Sequence, residues 1–150
     1  MIISSVVAIC ISLIMATSAI FVDKLTFTLP LLIKNWGTAF LVISLTGMAF
    51  PLTDWSFALC RKMGLRPETL PHVLVENFVA TLFFNTTATI VLTAVNVFHN
   101  PEIEAAVAAG FLPNTLTAFV QGVLHDWPIM FIISYVFAFF VTKAAIRIAK

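Results

Sequence analysis

Four long apolar stretches, none containing a Lys, Arg, Asp or Glu, alternate with shorter polar ones: Ile2–Val22, Trp36–Thr53, Asn77–Phe98 and Trp127–Thr142. A helix of about 20 mostly apolar residues spans a hydrocarbon core of roughly 30 Å. Helices are expected, because a backbone group inside lipid must find its partner within its own segment. The pattern therefore predicts an all-α integral membrane four-helix bundle made of two helical hairpins, together forming one membrane domain. The first hairpin covers residues 1–66, with helices over 2–22 and 36–59. The second covers 67–150, with helices over 77–98 and 127–149.

The intervening segments have patterns of their own. Residues 101–126 carry Glu102, Glu104 and Asp126, and place Leu116, Phe119, Val120, Val123 and Leu124 on one helical face. They read as an outer amphipathic segment lying at the interface before the last helix enters the bilayer. Leu29, Leu32 and Ile33 form a shorter lead-in of the same kind. Trp36, Trp55 and Trp127 stand at the ends of apolar runs and read as interfacial anchors, since an indole combines an apolar ring with a polar N–H. Pro51 marks a kink or the end of the second helix.

Charge sets the orientation. Arg61, Lys62 and Arg66 follow the second stretch, and Lys143, Arg147 and Lys150 follow the fourth. Only Lys24 and Lys34 lie on the opposite side. By the positive-inside rule, both termini belong in the cytoplasm of a cell whose inner or plasma membrane holds the protein. The first stretch is read as a retained helix rather than a cleaved signal, since no basic residue precedes it and it exceeds a typical h-region.

Composition agrees with lipid as the solvent. Of 150 residues, 61% are hydrophobic and 10% charged, and the mean hydropathy is +1.06. A soluble domain usually carries about 25% charged residues to wet its surface. A net charge of +1 offers no field for nucleic acid. The partners expected are the bilayer itself and, within it, a further copy of the chain or another membrane protein.

Setting Trp36 on Trp127 brings Ile33 onto Leu124, Asn35 onto Asp126 and Phe40 onto Phe131, so the hairpins read as an internal duplication. With Asn35-Trp36, Ala49-Phe50-Pro51-Leu52 and Arg61-Lys62 in one half, and Gly110-Phe111-Leu112-Pro113 and Lys143 to Arg147 in the other, the chain resembles the bacterial membrane-protein family called domain of unknown function 2798. The second half departs from that pattern, having Val141-Thr142 where the late Pro would stand. The resemblance implies tandem helical hairpins and carries no established activity.

Two polar patterns are candidates for function. Asn77, Thr81, Asn85, Thr89, Thr93 and Asn96 recur at spacings of three or four, which puts them on one side of the third helix. They read as interhelical glue, or as a polar track lining a path. Ser5, Ala8, Ser12, Ala16 and Ala19 form a narrow helix-packing seam of small residues on the first helix.

Catalytic, cofactor and metal sites are not expected. Cys10 and Cys60 belong to no ligand spacing. His72, His99 and His125 are scattered, and no phosphate-loop, serine-hydrolase or zinc-protease motif occurs. His125-Asp126 is the nearest approach to a ligand pair, but neighbouring residues are expected on different helix faces. The reading is a non-enzymatic structural, accessory or partner-binding membrane protein. The alternative is a small oligomeric transporter or channel. Proton-coupled export needs an embedded carboxylate, and the four apolar stretches contain none.

Overall fold

The computed structural model describes residues 2–22, 26–67, 69–98 and 100–148, without the side chains of 2–7, 142–143 and 145–148. Lys24 and Lys150 lie outside the described residues, as do the side chains of Ser5, Lys143 and Arg147. Six helices and no strands are found among the described residues: α1 Ile2–Val22, α2 Leu29–Ala49, α3 Leu52–Lys62, α4 Leu70–Val97, α5 Pro101–Ala108 and α6 Thr115–Ile148. Three are long and apolar enough to cross a membrane: α2, α4 and the Thr115–Val141 part of α6. In α1, the apolar stretch with described side chains is Ala8–Val22.

Several helix boundaries differ from those predicted, each for a local reason. The helix expected over 36–59 starts earlier and is broken. Thr28 caps α2, its hydroxyl accepting from the Leu31 amide, and Pro30 sits in the first turn where no amide is needed. At the far end Phe50 is extended, and Pro51 lies between α2 and the separate helix α3. Trp36 therefore lies inside α2 rather than opening it. The helix expected over 77–98 starts at Leu70, with Pro71 in its first turn, and ends at Val97.

The expected outer segment 101–126 is divided. Asn100 caps the short α5 by accepting from the Glu102 amide. Gly110, at φ 78, lies in the turn after α5, a left-handed conformation that favours glycine. The Asn114 side chain then accepts from the Thr117 amide and hydroxyl at the start of α6. From Thr115 onward the helix is continuous through Pro128. The amphipathic face is thus the first part of the last long helix, and no helix begins at Trp127. Pro128 removes the amide that would bond the Leu124 carbonyl and its ring crowds that carbonyl, a local cost within a helix that continues on both sides.

α1 packs against α2 and α6, while α4 packs against α2, α3 and α6. Met15, Ala19, Ala39, Ile43, Ala88, Leu92 and Met130 form the apolar core between them. Polar side chains share this interior, and large apolar ones cover the outside. Asn35, Asn85, Thr89, Thr93 and Asp126 are buried, whereas Leu41, Leu45, Met48, Ile132 and Phe140 are exposed. Apolar surface on that scale is stable only where the surroundings are also apolar.

Candidate functional site

The polar interior is built by two stripes of period four. On α4, Asn77, Thr81, Asn85, Thr89 and Thr93 are all buried, and Asn96 is half-buried. On α6 the facing stripe is Asp126, Met130, Ser134 and Ala138, also all buried. Residues four apart lie one above another on a helix, so the stripes run alongside each other where α4 and α6 touch. Gly122 brings the backbones close. A Cβ added there would lie 2.8 Å from Thr93 Cγ2.

Asp126 changes the chemistry. It closes the expected outer amphipathic segment, one residue before the predicted start of the last helix. Its residue is 6% exposed, and it sits eleven residues into α6. Thr93 Oγ1 donates to its Oδ2 at 3.4 Å. His125 Nδ1 lies 2.8 Å from its Oδ1 although the two residues are sequence neighbours, while the imidazole itself is largely exposed. The pair expected to diverge therefore meets through its side chains, and it links a buried carboxylate to the outer surface of α6. A small niche beside Asp126 is lined by Ala19, Thr89, Leu92, Thr93 and Met130.

Further along α4, a pocket of ≈ 80 Å³ is lined by Asn77, Thr81, Phe84, Asn85, Ser134 and Ala138, with Ile11 and Met15 of α1. That is room for about two or three water molecules. Asn85 is fully buried and donates through Nδ2 to the Trp127 carbonyl at 3.1 Å. Its Oδ1, the Ser134 Oγ and the Thr89 Oγ1 are buried without a hydrogen-bond partner. Both amide atoms of Asn35 on α2 are in the same condition. An orphaned buried polar atom typically costs about 1–3 kcal/mol, so several together mark a cavity suited to polar occupants.

The remaining polar contacts tie helices together. Trp36 Nε1 donates to Ser12 Oγ at 3.1 Å, and Trp127 Nε1 donates to Thr86 Oγ1 at 2.9 Å. Both indoles expected at the headgroups spend their N–H inside the protein; Trp55 remains exposed beside Phe50 and Phe83. Thr46 Oγ1 donates to Thr87 Oγ1 at 3.0 Å. In the small-residue seam, Ser12, Ala16 and Ala19 are buried and Ala8 is half-buried.

Near the other end, His72 Nδ1 stands 3.3 Å from Glu76 Oε2. Burial, and then the nearby Glu76 carboxylate, push the Cys60 thiol up, so it stays protonated at neutral pH. A protonated, buried thiol is a poor nucleophile. Among the described residues, no group of three or more His, Cys, Asp or Glu stands where it could hold a metal ion.

The burial of Asp126 could have been anticipated from the sequence. Gly122, Asp126, Met130, Ser134 and Ala138 already show the period-four stripe, provided the helix is allowed to run through Pro128. No family model, curated protein or solved structure matches the chain.

Proposed function

We propose that this chain is a four-span membrane protein with no enzymatic activity, and that its polar interior passes protons or a small cation across the bilayer. The observation that carries this reading is Asp126, an acidic residue buried within an apolar helix long enough to span. Ionisable groups at such positions are costly and are characteristic of ion and proton pathways. Thr93 holds one carboxylate oxygen and the exposed His125 touches the other, giving a route for protons from the surface. From there Thr89, Asn85, Ser134, Thr81 and Asn77 continue the polar surface along the α4–α6 contact.

The finer architecture belongs to the same proposal. With 21 residues, α1 reaches about 31 Å, which suffices for a fourth crossing. The helices α1, α2, α4 and α6 then form a four-helix bundle, with the ends of this chain and the Arg61–Arg66 segment on the cytoplasmic side of the inner or plasma membrane. Two agreements support a duplicated hairpin of the kind the family resemblance implies. Setting Ser12 on Asn85 matches buried Met15, Ala16, Ala19 and Ile20 to buried Ala88, Thr89, Leu92 and Thr93. Setting Trp36 on Trp127 matches buried Asn35, Ala39 and Ile43 to buried Asp126, Met130 and Ser134. Parallel repeats of this kind are related by an axis along the membrane normal.

The test is proton flux in liposomes containing the purified chain and a trapped pH-sensitive dye. An imposed pH gradient is expected to collapse faster than in empty liposomes, and Asp126→Asn is expected to abolish the difference. Equal rates for the two proteins, or no flux above empty liposomes under pH or sodium gradients, would remove the transport reading. A second reading is a structural or partner-binding role. It is favoured by the interhelical bonds from Trp36, Trp127 and Asn85, which serve packing alone as well as they serve a path. Under that reading Asp126→Asn alters assembly without any flux to lose.

A further inference from the structure

A second site lies away from the polar interior, in an open cleft of ≈ 620 Å³ where α3 turns back into α4. Its lining includes Asp54, Phe57, Arg61, Arg66 and His72. The chain builds it from a short amphipathic helix. Leu52, Ser56 and Cys60 bury one face of α3 against α4, while Trp55, Phe57 and Leu59 remain exposed and Arg61 and Lys62 occupy the last turn. Gly64, at φ 68, ends the helix, and the Leu65 amide donates back to the Cys60 carbonyl at 2.9 Å. This reversal brings Arg66 into the same cleft as Arg61. His72, buried and 5.1 Å from the Phe57 ring centre, adds a wall from the first turn of α4.

We propose that this cleft binds the phosphodiester headgroup of a membrane lipid, with Arg61 and Arg66 holding the phosphate. Neither guanidinium forms an ion pair with any described residue. A guanidinium matches phosphate geometry with two parallel N–H donors. The volume falls in the range of small-molecule sites and exceeds what inorganic phosphate alone would fill. The depth is right for a lipid, given the membrane reading on which this inference rests. A helix with exposed Trp and Phe and a basic end lies in the interface plane, where headgroups are. Asp54, two turns before Arg61 on α3, adds one anion to the cleft, which selects a headgroup bearing an ammonium, phosphoethanolamine in particular.

The experiment uses the full chain in detergent, stripped of lipid and titrated with dihexanoyl phosphatidylethanolamine, dihexanoyl phosphatidylglycerol or inorganic phosphate, with thermophoresis and thermal shift as readouts. Both lipids are expected to bind saturably and raise the melting temperature, and phosphatidylethanolamine is expected to bind more tightly. The R61Q/R66Q double variant is expected to lose roughly thirtyfold in affinity, near the usual contribution of two basic residues at a lipid surface. Because both arginines are exposed, its lipid-free melting temperature should equal that of the parent. Asp54→Asn should erase the preference for phosphatidylethanolamine. Unchanged lipid affinity in the double variant overturns the site. Inorganic phosphate displacing lipid at similar concentration overturns the lipid assignment, and an unchanged preference in Asp54→Asn overturns the role of that carboxylate. The readout is binding rather than flux, so its failure leaves the transport proposal standing.

Discussion

Replacing Asn85 separates the two readings of the polar stripe, because its two amide atoms do different things. Nδ2 donates to the Trp127 carbonyl, whereas Oδ1 is buried at the pocket wall with no partner. Interhelical hydrogen bonds in membrane proteins are worth about 0.6 kcal/mol on average and up to roughly 1.7 kcal/mol. An orphaned buried acceptor costs about 1–3 kcal/mol. Asn85→Leu loses the bond but also removes the orphan, and keeps the same number of side-chain heavy atoms. These terms nearly cancel, so the variant is expected within about 1 kcal/mol of the parent. Asn85→Ala loses the same bond and enlarges the ≈ 80 Å³ pocket, and is expected to cost roughly 1–3 kcal/mol.

Stability is measured by reversible unfolding in mixed micelles and flux by the liposome assay. For a polar path, Asn85→Leu folds normally and conducts nothing, since an isobutyl group cannot exchange hydrogen bonds with a passing ion or water. A loss above about 2 kcal/mol in Asn85→Leu would mean that the Trp127 tie is the main purpose of the residue. Retained flux in a folded Asn85→Leu variant would refute the path outright.

Two further substitutions probe the helix contacts. Gly122→Leu forces a side chain into the space held by Thr93 Cγ2 and is expected to cost about 1–3 kcal/mol, read as a lower unfolding midpoint; unchanged stability would refute the close α4–α6 approach. Ser12→Leu removes the acceptor for the Trp36 indole and swells the small-residue face of α1, so the melting temperature in detergent should fall by several degrees, whereas wild-type melting and assembly would refute the seam.

The all-helical class was readable from the apolar runs, because lipid demands length and uniformity that few other structures share, whereas six helices stand where four were expected. Helix ends were not readable from the same signal. Lys34 and Asp126 fall just outside the predicted spans, because a charge inside a span is expensive. Yet α2 begins at Leu29 with Lys34 exposed, and α6 carries Asp126 into the interior. The first case reflects a long side chain able to reach outward. The second depends on partners from another helix, Thr93 above all, although the period-four pattern on α6 already places Asp126 on its buried face. Pro51 and Pro128 make the same point. One sits between two helices and the other lies within one, so the residue type alone does not decide where a helix ends. The period-four polar stripe on α4 was visible in the sequence, but which of its atoms would lack partners was not, since that depends on α1 and α6 side chains arriving from far along the chain.

The proposed duplication, taken with the burial pattern, bears on why the interior is asymmetric. Asn35 and Asp126 occupy matching positions, both buried, in helices that each follow an earlier apolar partner. A core needing only adhesive contacts gains nothing from an acid at one of two equivalent places, because an amide bonds equally well and carries no charge to desolvate. Nor does it gain from Asn35, whose two amide atoms bond to nothing among the described residues. Under the transport reading both features have a use. One copy keeps a neutral amide able to bond water or an ion, and the other keeps a carboxyl group with Thr93 and His125 on its two oxygens. Under the proposed transport reading, the cost retained at the two matching sites serves passage through the interior, and the flux assay on Asp126→Asn decides between that and packing.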